Sequence, residues 1–517
     1  MIERKTGATQ PAPSCSFLVW PGPSTLLLTQ SFTTRAEDTT KKEALERVFT
    51  PRSVAIVGST PRQPAEQIVE TLVASGFQGR IHLVNGHTEE ASGRKVYHSV
   101  AEIPGPVDYL ACCTPTAEVL PLLRECAARQ VGAVAILTGG FAESGTQRGV
   151  RLEQEISALA RETGLRVMGP NCLGVYCPRG GMSFDRRLPA ESGRMGFIGQ
   201  GREPSVRVLR AAGHRGVRFS KAVSYGNACD IGESELLEYF AQDRDTDAVA
   251  ACIESVRDGP RFFRVLQNLS EVKPVILLKT APTFGKRNGT KSVGAGDANP
   301  DEMWSALLQQ TGAIGVSSAE DMVDTMVAFA MMPRPRGRRL GIFGGAGGAS
   351  VLATDAWATY GFVLPPVPTQ LREKLDAGLM NQAGMMLHNP LDFSMAMSTE
   401  FMYDVTTKMM MHEDFVDIGV IHNPTGQGAW LAGPAFDAGN KAMASAAISI
   451  HRAVNKPLVI VMHYIDSRPH WQGIFRDLQV PCSEAGVPVY YSMASAARAI
   501  DRMLRYYERR SVLAEAV

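Results

Sequence analysis

Residues Ser53–Thr60 read SVAIVGST. Five residues, apolar apart from the leading serine, ending in Gly, Ser and Thr are the pattern of a buried strand that runs into a tight turn. The helix-like AEQIVETLVASG (65–76) and a second apolar run, RIHLVN (80–85), follow. Strand, glycine turn, helix, strand is the opening of a βαβ unit, in which parallel strands are covered on both faces and so carry almost no polar positions.

The alternation continues outward from there. GPVDYLACCTP (105–115), GAVAILTGGF (132–141) and VMGPNCLG (167–174) are further apolar runs, separated by helical patterns. A second strand-first block begins near Gly193, and a third follows the basic, proline-containing MMPRPRGRR (331–339). A chain of 517 residues is too long for one core and divides into about three or four domains. The pattern predicts three: a loosely ordered extension over 1–47, a Rossmann-like domain over 48–182, and two flavodoxin-like domains over 183–334 and 335–517, all with parallel sheets.

Lys plus Arg (53) nearly balance Asp plus Glu (52), which argues against a broad nucleic-acid or membrane footprint. The nine cysteines include no CxxC pair, and several lie inside apolar runs, as buried thiols do in a reducing cytoplasm. No later run approaches the roughly 20 apolar residues of a membrane span.

Four loops fall where a parallel strand ends, the place where backbone N–H groups and helix N-termini collect an anion. They are Gly58–Thr60, GPNCLG (169–174), GQGREPS (199–205) and GGAGGAS (344–350). The first lacks a full GxGxxG, so taken alone a tight structural turn explains it better. The second sets Asn171 and Cys172 on a rigid turn and reads equally as a ligand loop or as a turn with a buried thiol. The third carries Gly199, Gly201 and Arg202 before a helix expected near Pro204. The fourth, with Gly344, Gly345, Gly347 and Gly348, is by composition the strongest phosphate cradle, although close helix packing selects small residues too. Nine of the 22 methionines lie between Met380 and Met411; core packing explains this better than an acyl pocket does.

In their order these stretches resemble a family. RSVAIVGST, GPVDYLACCTP, TGGFAESG, VMGPNCLG, FSKAVSYGNACDIGESELLEYFAQD and HNPLDF are similar to the succinyl-CoA synthetase α subunit and to the α-type chain of ADP-forming acyl-CoA synthetases, including acetate–CoA ligase. The resemblance implies coenzyme A bound by Gly58, Ser59, Thr60, Val84, Asn85, Thr114, Pro115, Thr138, Gly139 and Gly140, with Asn171 and Cys172 near the thiol end. It implies a small carboxylic acid as substrate, and ATP with Mg²⁺ on a separate ATP-grasp chain. It also implies no protein-bound metal, and phosphate held by the Gly199–Arg202 and Gly344–Gly348 loops.

One stretch departs from the family. GKRNGTKSVGAGDANPDE (285–302) occupies the place of its phosphohistidine loop, yet no histidine occurs between Thr280 and Glu302. The two possible registers put Thr290 or Val293 under the missing imidazole, with Lys291 the nearby base. Lysine is protonated at neutral pH unless buried and is no equivalent carrier. Asp230 and Glu235 follow the turn from which the family orients its histidine; without one they read as helix-capping acids. His87 and His388 are more ordinary surface histidines than replacements. Three readings follow: a CoA-binding ligase subunit, a CoA or acyl-CoA binding protein that has lost phosphoryl transfer, and an acyl-CoA transferase using Cys172 or Glu143 covalently.

Overall fold

The computed structural model describes residues 42–58, 65–85, 90–91, 93–280, 300–344, 347–378, 388–391, 399–412, 415–423, 434–462 and 469–515. It opens with helix α1 (42–49), whose Leu45, Val48 and Phe49 are buried in the same core as the first strand. Residues 42–47, expected in the loose extension, are therefore helical and packed. Their i, i+3, i+4 apolar spacing explains it.

The first sheet is built from β1 (Ser53–Val57), β2 (Arg80–Val84), β3 (Glu90–Ala91), β4 (Arg94–Tyr97), β5 (Tyr109–Cys112), β6 (Ala133–Ile136) and β7 (Arg166–Met168). Helices α2 (Ala65–Ala74), α3 (Thr116–Ala128) and α4 (Gln147–Thr163) connect and cover it. The order β3-β4-β2-β1-β5-β6-β7 is, apart from the β3 hairpin, the doubly wound arrangement whose order reverses between β1 and β5. Every residue of β1 is buried because the strand has two dry faces. Val54 and Ile56 join one core, and Ala55 and Val57 the other.

The second sheet holds β8 (Gly174–Tyr176), β9 (Met195–Gly199), β10 (Phe219–Ser224), β11 (Ala248–Ile253), β12 (Val275–Lys279) and β13 (Ile314–Val316), in the order β13-β12-β11-β9-β10-β8. Its helices are α5 (Arg202–His214), α6 (Glu233–Gln242), α7 (Gly259–Val272), α8 (Pro300–Thr311) and α9 (Ala319–Met331). Without β8 this is the flavodoxin-like order. The third sheet runs β14 (Leu340–Phe343), β15 (Ile418–Asn423), β16 (Leu458–Met462), β17 (Val489–Tyr490) among the described residues, with α10 (Gly347–Ala358), α11 (Thr369–Gly378), α12 (Thr399–Met411), α13 (Pro434–Ala453), α14 (Pro469–Glu484) and α15 (Met493–Glu515). Parallel bridges Arg339 to Val363 and Phe343 to Leu391 flank β14.

Two details differ from the all-parallel expectation: β3 pairs antiparallel with β4, and β8 pairs antiparallel with β10. Edge strands of two or three residues are placed by their neighbours rather than by their own pattern. β8, within the stretch 48–182 expected as the first domain, extends the second sheet. In the methionine cluster Met409 and Met410 are buried in the third domain, whereas Met411 is exposed.

Candidate functional site

The rim of the first sheet is assembled at the carboxyl ends of its strands. Gly58 ends β1 with φ of +76°, and a Cβ there would meet Thr114 Cγ2 at 2.8 Å, so only glycine fits. Its N–H donates to the Val84 carbonyl (3.0 Å), while Asn85 donates to Tyr97. Thr138 Oγ1 donates to the Thr114 carbonyl (2.7 Å), next to Pro115, and Thr116 Oγ1 donates to the Gly139 carbonyl (3.1 Å). The Asn171 N–H closes the ring by donating to the Thr138 carbonyl (3.0 Å). Gly140, with φ of +103°, is exposed, and Gly58 and Gly139 are half-buried; the lack of side chains there lets a pyrophosphate and a pantetheine chain come close. Gly58, Val84, Asn85, Thr114, Pro115, Thr138, Gly139, Gly140 and Asn171 thus share one edge. Ser59, Thr60 and His87 lie outside the described residues.

Cys172 does not face that edge. Its thiol is fully buried, donates to the Ile136 carbonyl (3.3 Å), and is pushed up to about 12 by burial. It anchors the loop and is no nucleophile at neutral pH. Glu143 is equally committed. One oxygen accepts from the Gly140 (2.6 Å) and Phe141 (3.3 Å) amides, and the other from Asn227 Nδ2 (2.6 Å).

Asn227 links the first two domains. Its side chain also donates to Glu153 (2.7 Å), which takes Arg257 (3.1 Å) on its other oxygen, and its N–H donates to the Pro170 carbonyl (2.9 Å). Asp230 and Glu235 belong to the same seam: Arg166 Nε donates to Asp230 (3.1 Å) and its NH2 group to both Glu235 oxygens (2.9 Å). They clamp an arginine of the first domain. Asn227 and Arg257 escaped the sequence reading because each forms its bonds across more than 25 positions, and Glu153 because its side-chain partners are those two.

The second rim lies at the ends of β9 and β11. Gln200 fastens it: its Oε1 accepts from the Glu254 and Ser255 amides (both 2.9 Å). Helix α5 starts at Arg202 behind the uncapped Gly201, earlier than the predicted Pro204; Pro204 sits in the first turn, where a missing N–H costs nothing. Arg202 does not lie over this loop. Its guanidinium donates to the Leu137 carbonyl at the end of β6 (2.8 Å), tying α5 to the first rim one residue before Thr138.

Two carboxylates that the sequence did not flag occupy the second rim. A Cβ on Gly201 would touch Glu254 Oε1, so this carboxylate borders the helix start; burial pushes its pKa upward. Glu233, at the start of α6, is buried, and its nearest recorded donor is Ser234 Oγ at 3.5 Å. The Tyr225 hydroxyl is buried without a hydrogen-bond partner among the described residues, and burial raises its pKa well above the usual value.

In the third domain Gly344 turns the chain from β14 toward α10 with φ of +100°, its N–H donating to Leu391 (2.8 Å). Asn389 locks that turn by accepting from Ile342 (3.1 Å) and donating to Leu340 (2.7 Å) and Pro365 (3.0 Å), whereas His388 is exposed. Gly347 and Gly348 open α10. Gly345, Thr290, Lys291 and Val293 lie outside the described residues. Among the described residues, no group of three or more His, Cys, Asp or Glu is placed to hold a metal ion.

Residues 52–178 match a CoA binding domain, and residues 192–329 the succinyl-CoA ligase like flavodoxin domain. The chain is 31% identical over 377 residues to the α subunit of an ADP-forming acetate–CoA ligase II of Pyrococcus furiosus, covering 72% of this chain and 81% of that one. It belongs to the ADP-forming acetate–CoA ligase family. This is a family of acid–thiol ligases, and the chain carries its CoA-binding domain. A further relative, an ADP-forming acetate–CoA ligase I of Archaeoglobus fulgidus, is 30% identical over 89% of this chain, but the match spans 64% of that ligase's length. The fold is shared with a dinucleotide-forming acetyl-coenzyme A synthetase 1 of Ca. Korarchaeum cryptofilum, with a TM-score of 0.75 over 92% of this chain and 99% of that one, at 24% identity.

Proposed function

We propose that this ligase-family chain is the CoA- and acid-binding subunit of an ADP-forming acyl-CoA synthetase, acting in the cytoplasm with a separate ATP-grasp chain that carries ATP and Mg²⁺. The observation that supports it best is the Arg202 bond to Leu137, which joins the start of α5 to the glycine rim of the first sheet. When bound, CoA supplies the thiol for acyl transfer. Gly58, Val84, Asn85, Thr114, Pro115, Thr138, Gly139 and Gly140 hold its backbone-facing part, and Asn171 orients the thiol end. Past the turn that Gly344 makes, Gly347 and Gly348 offer amides to a phosphoryl group, as do Gly199 and Gly201 where Glu254 is protonated.

Stretch 285–302 lacks a histidine, so the phosphoryl group is not carried on imidazole there. An ionised Glu254 beside Gly201 would repel phosphate, which favours the second reading: a chain that binds CoA or acyl-CoA without phosphoryl relay. Calorimetric titration of CoA tests the shared premise, with one-site binding expected. No heat of binding over the soluble range of CoA overturns it.

A further inference from the structure

Between the first sheet, α2 and α5 the structure holds a cavity of about 530 Å³. One part of its lining is basic, with Arg186, Arg187, Arg202 and Arg210 against the single carboxylate of Asp185. Asp185 is already shared by Arg187 (3.1 Å) and Arg210. Arg186 has no ion pair and Arg202 no carboxylate partner among the described residues. The rest mixes apolar Val54, Leu72, Tyr109, Ala111, Val175 and Met182 with polar Gln67, Thr71 and Ser183.

Excess guanidinium charge beside a wall that is partly apolar suits a ligand with one anionic head and a largely apolar body. Two carbons would leave most of this volume to water against aliphatic side chains, whereas an aryl ring or a medium-length alkyl chain covers the wall. Arg202 and Leu137 line the cavity and also join the two rims, so a carboxylate on Arg202 lies beside the residues proposed to hold CoA. We propose that this cavity receives the acid, and that the acid is a bulky aryl or medium-chain carboxylate. This inference rests on the function proposed above.

The test is titration of the full chain with 3-phenylpropanoate, octanoate and acetate, and separately with CoA. The two larger acids are expected to bind at least about tenfold more tightly than acetate, and octanamide, which lacks the charge, at least about tenfold more weakly than octanoate. Arg202→Met should weaken octanoate by about tenfold or more. Val206→Phe, which fills the cavity from α5, should weaken the large acids to a similar degree and leave the CoA titration unchanged. Equal affinity for acetate and octanoate, or for octanoate and octanamide, overturns the inference using the wild-type chain alone, whether or not a variant folds. CoA binding without any acid binding overturns this inference and leaves the functional reading standing. Absence of CoA binding overturns that reading.

Discussion

The two seams between the domains differ in kind. The first, between the first and second sheets, adds loop-built polar contacts to an apolar core that Val54 and Tyr109 share with Tyr225 and Phe240: Asn227 reaches Glu143 and Glu153, and Arg166 is clamped by Asp230 and Glu235. The second is a packed helix pair in which Met322, Met326 and Val327 of α9 share a core with Ile500, Met503 and Leu504 of α15. Its charges are buried between the helices, where Asp321 accepts from Arg498 (2.7 Å) and Arg502 (2.8 Å). The ligand rims lie along the polar seam. The dry one therefore reads as scaffold, and the two should respond oppositely to substitution.

The largest effect is expected at the dry seam. Asp321→Ala strands two arginines and should cost about 3 kcal/mol, read by denaturant unfolding, with CoA affinity unchanged. The same pair carries a pH dependence. Arg502 and Arg498 hold the Asp321 carboxyl well below its usual range. A depressed carboxylate stabilises the fold above its unfolded pKa, and that stability is lost as pH falls through the folded value. Stability of the wild type should thus drop below about pH 4, and Asp321→Asn should flatten this part of the profile.

At the polar seam the effect should fall on binding first. Gly58→Val forces a left-handed backbone and overlaps Thr114, at about 1–3 kcal/mol of strain. CoA affinity should fall at least about tenfold in calorimetry. Asn227→Ala leaves Glu143 and Glu153 without a shared donor; the cost is about 1–2 kcal/mol, with a smaller loss of CoA affinity. An Asn227 variant that loses stability while binding CoA normally would erase the distinction between the seams.

The smallest effect concerns Glu254. Its raised pKa means that its contribution is present below the unfolded pKa and is lost as pH rises through the folded one. Glu254→Gln should then raise the melting temperature at pH 8 relative to wild type, by less than about 1 kcal/mol equivalent, and should make no difference at pH 4.

Much of the fold could be read from the sequence, and the reasons are local. β1, β5, β9 and β11 announce themselves because parallel strands with two dry faces are unbroken apolar runs. The rim glycines were visible because each ends such a run. The route of Arg202 was not, because a side chain at a helix start reaches phosphate or a neighbouring carbonyl with equal ease. The same holds for Asp230 and Glu235, whose partner Arg166 lies more than 60 positions away in sequence. Cys172, which reads equally as ligand or buried thiol, is buried in the structure; polarity in a glycine loop says nothing about which way a thiol points. Helix α1 shows the reverse case, in which an apolar stripe was present but lay beyond the first recognisable strand.

The central claim is that the chain binds CoA at the polar seam while stretch 285–302 carries no phosphohistidine. It is tested most directly by incubating the chain with CoA, ATP, Mg²⁺ and its ATP-grasp partner and following phosphate on the protein. The prediction is CoA bound to the chain with no acid-labile phosphate attached to it. Stoichiometric acid-labile phosphate on this chain would contradict it.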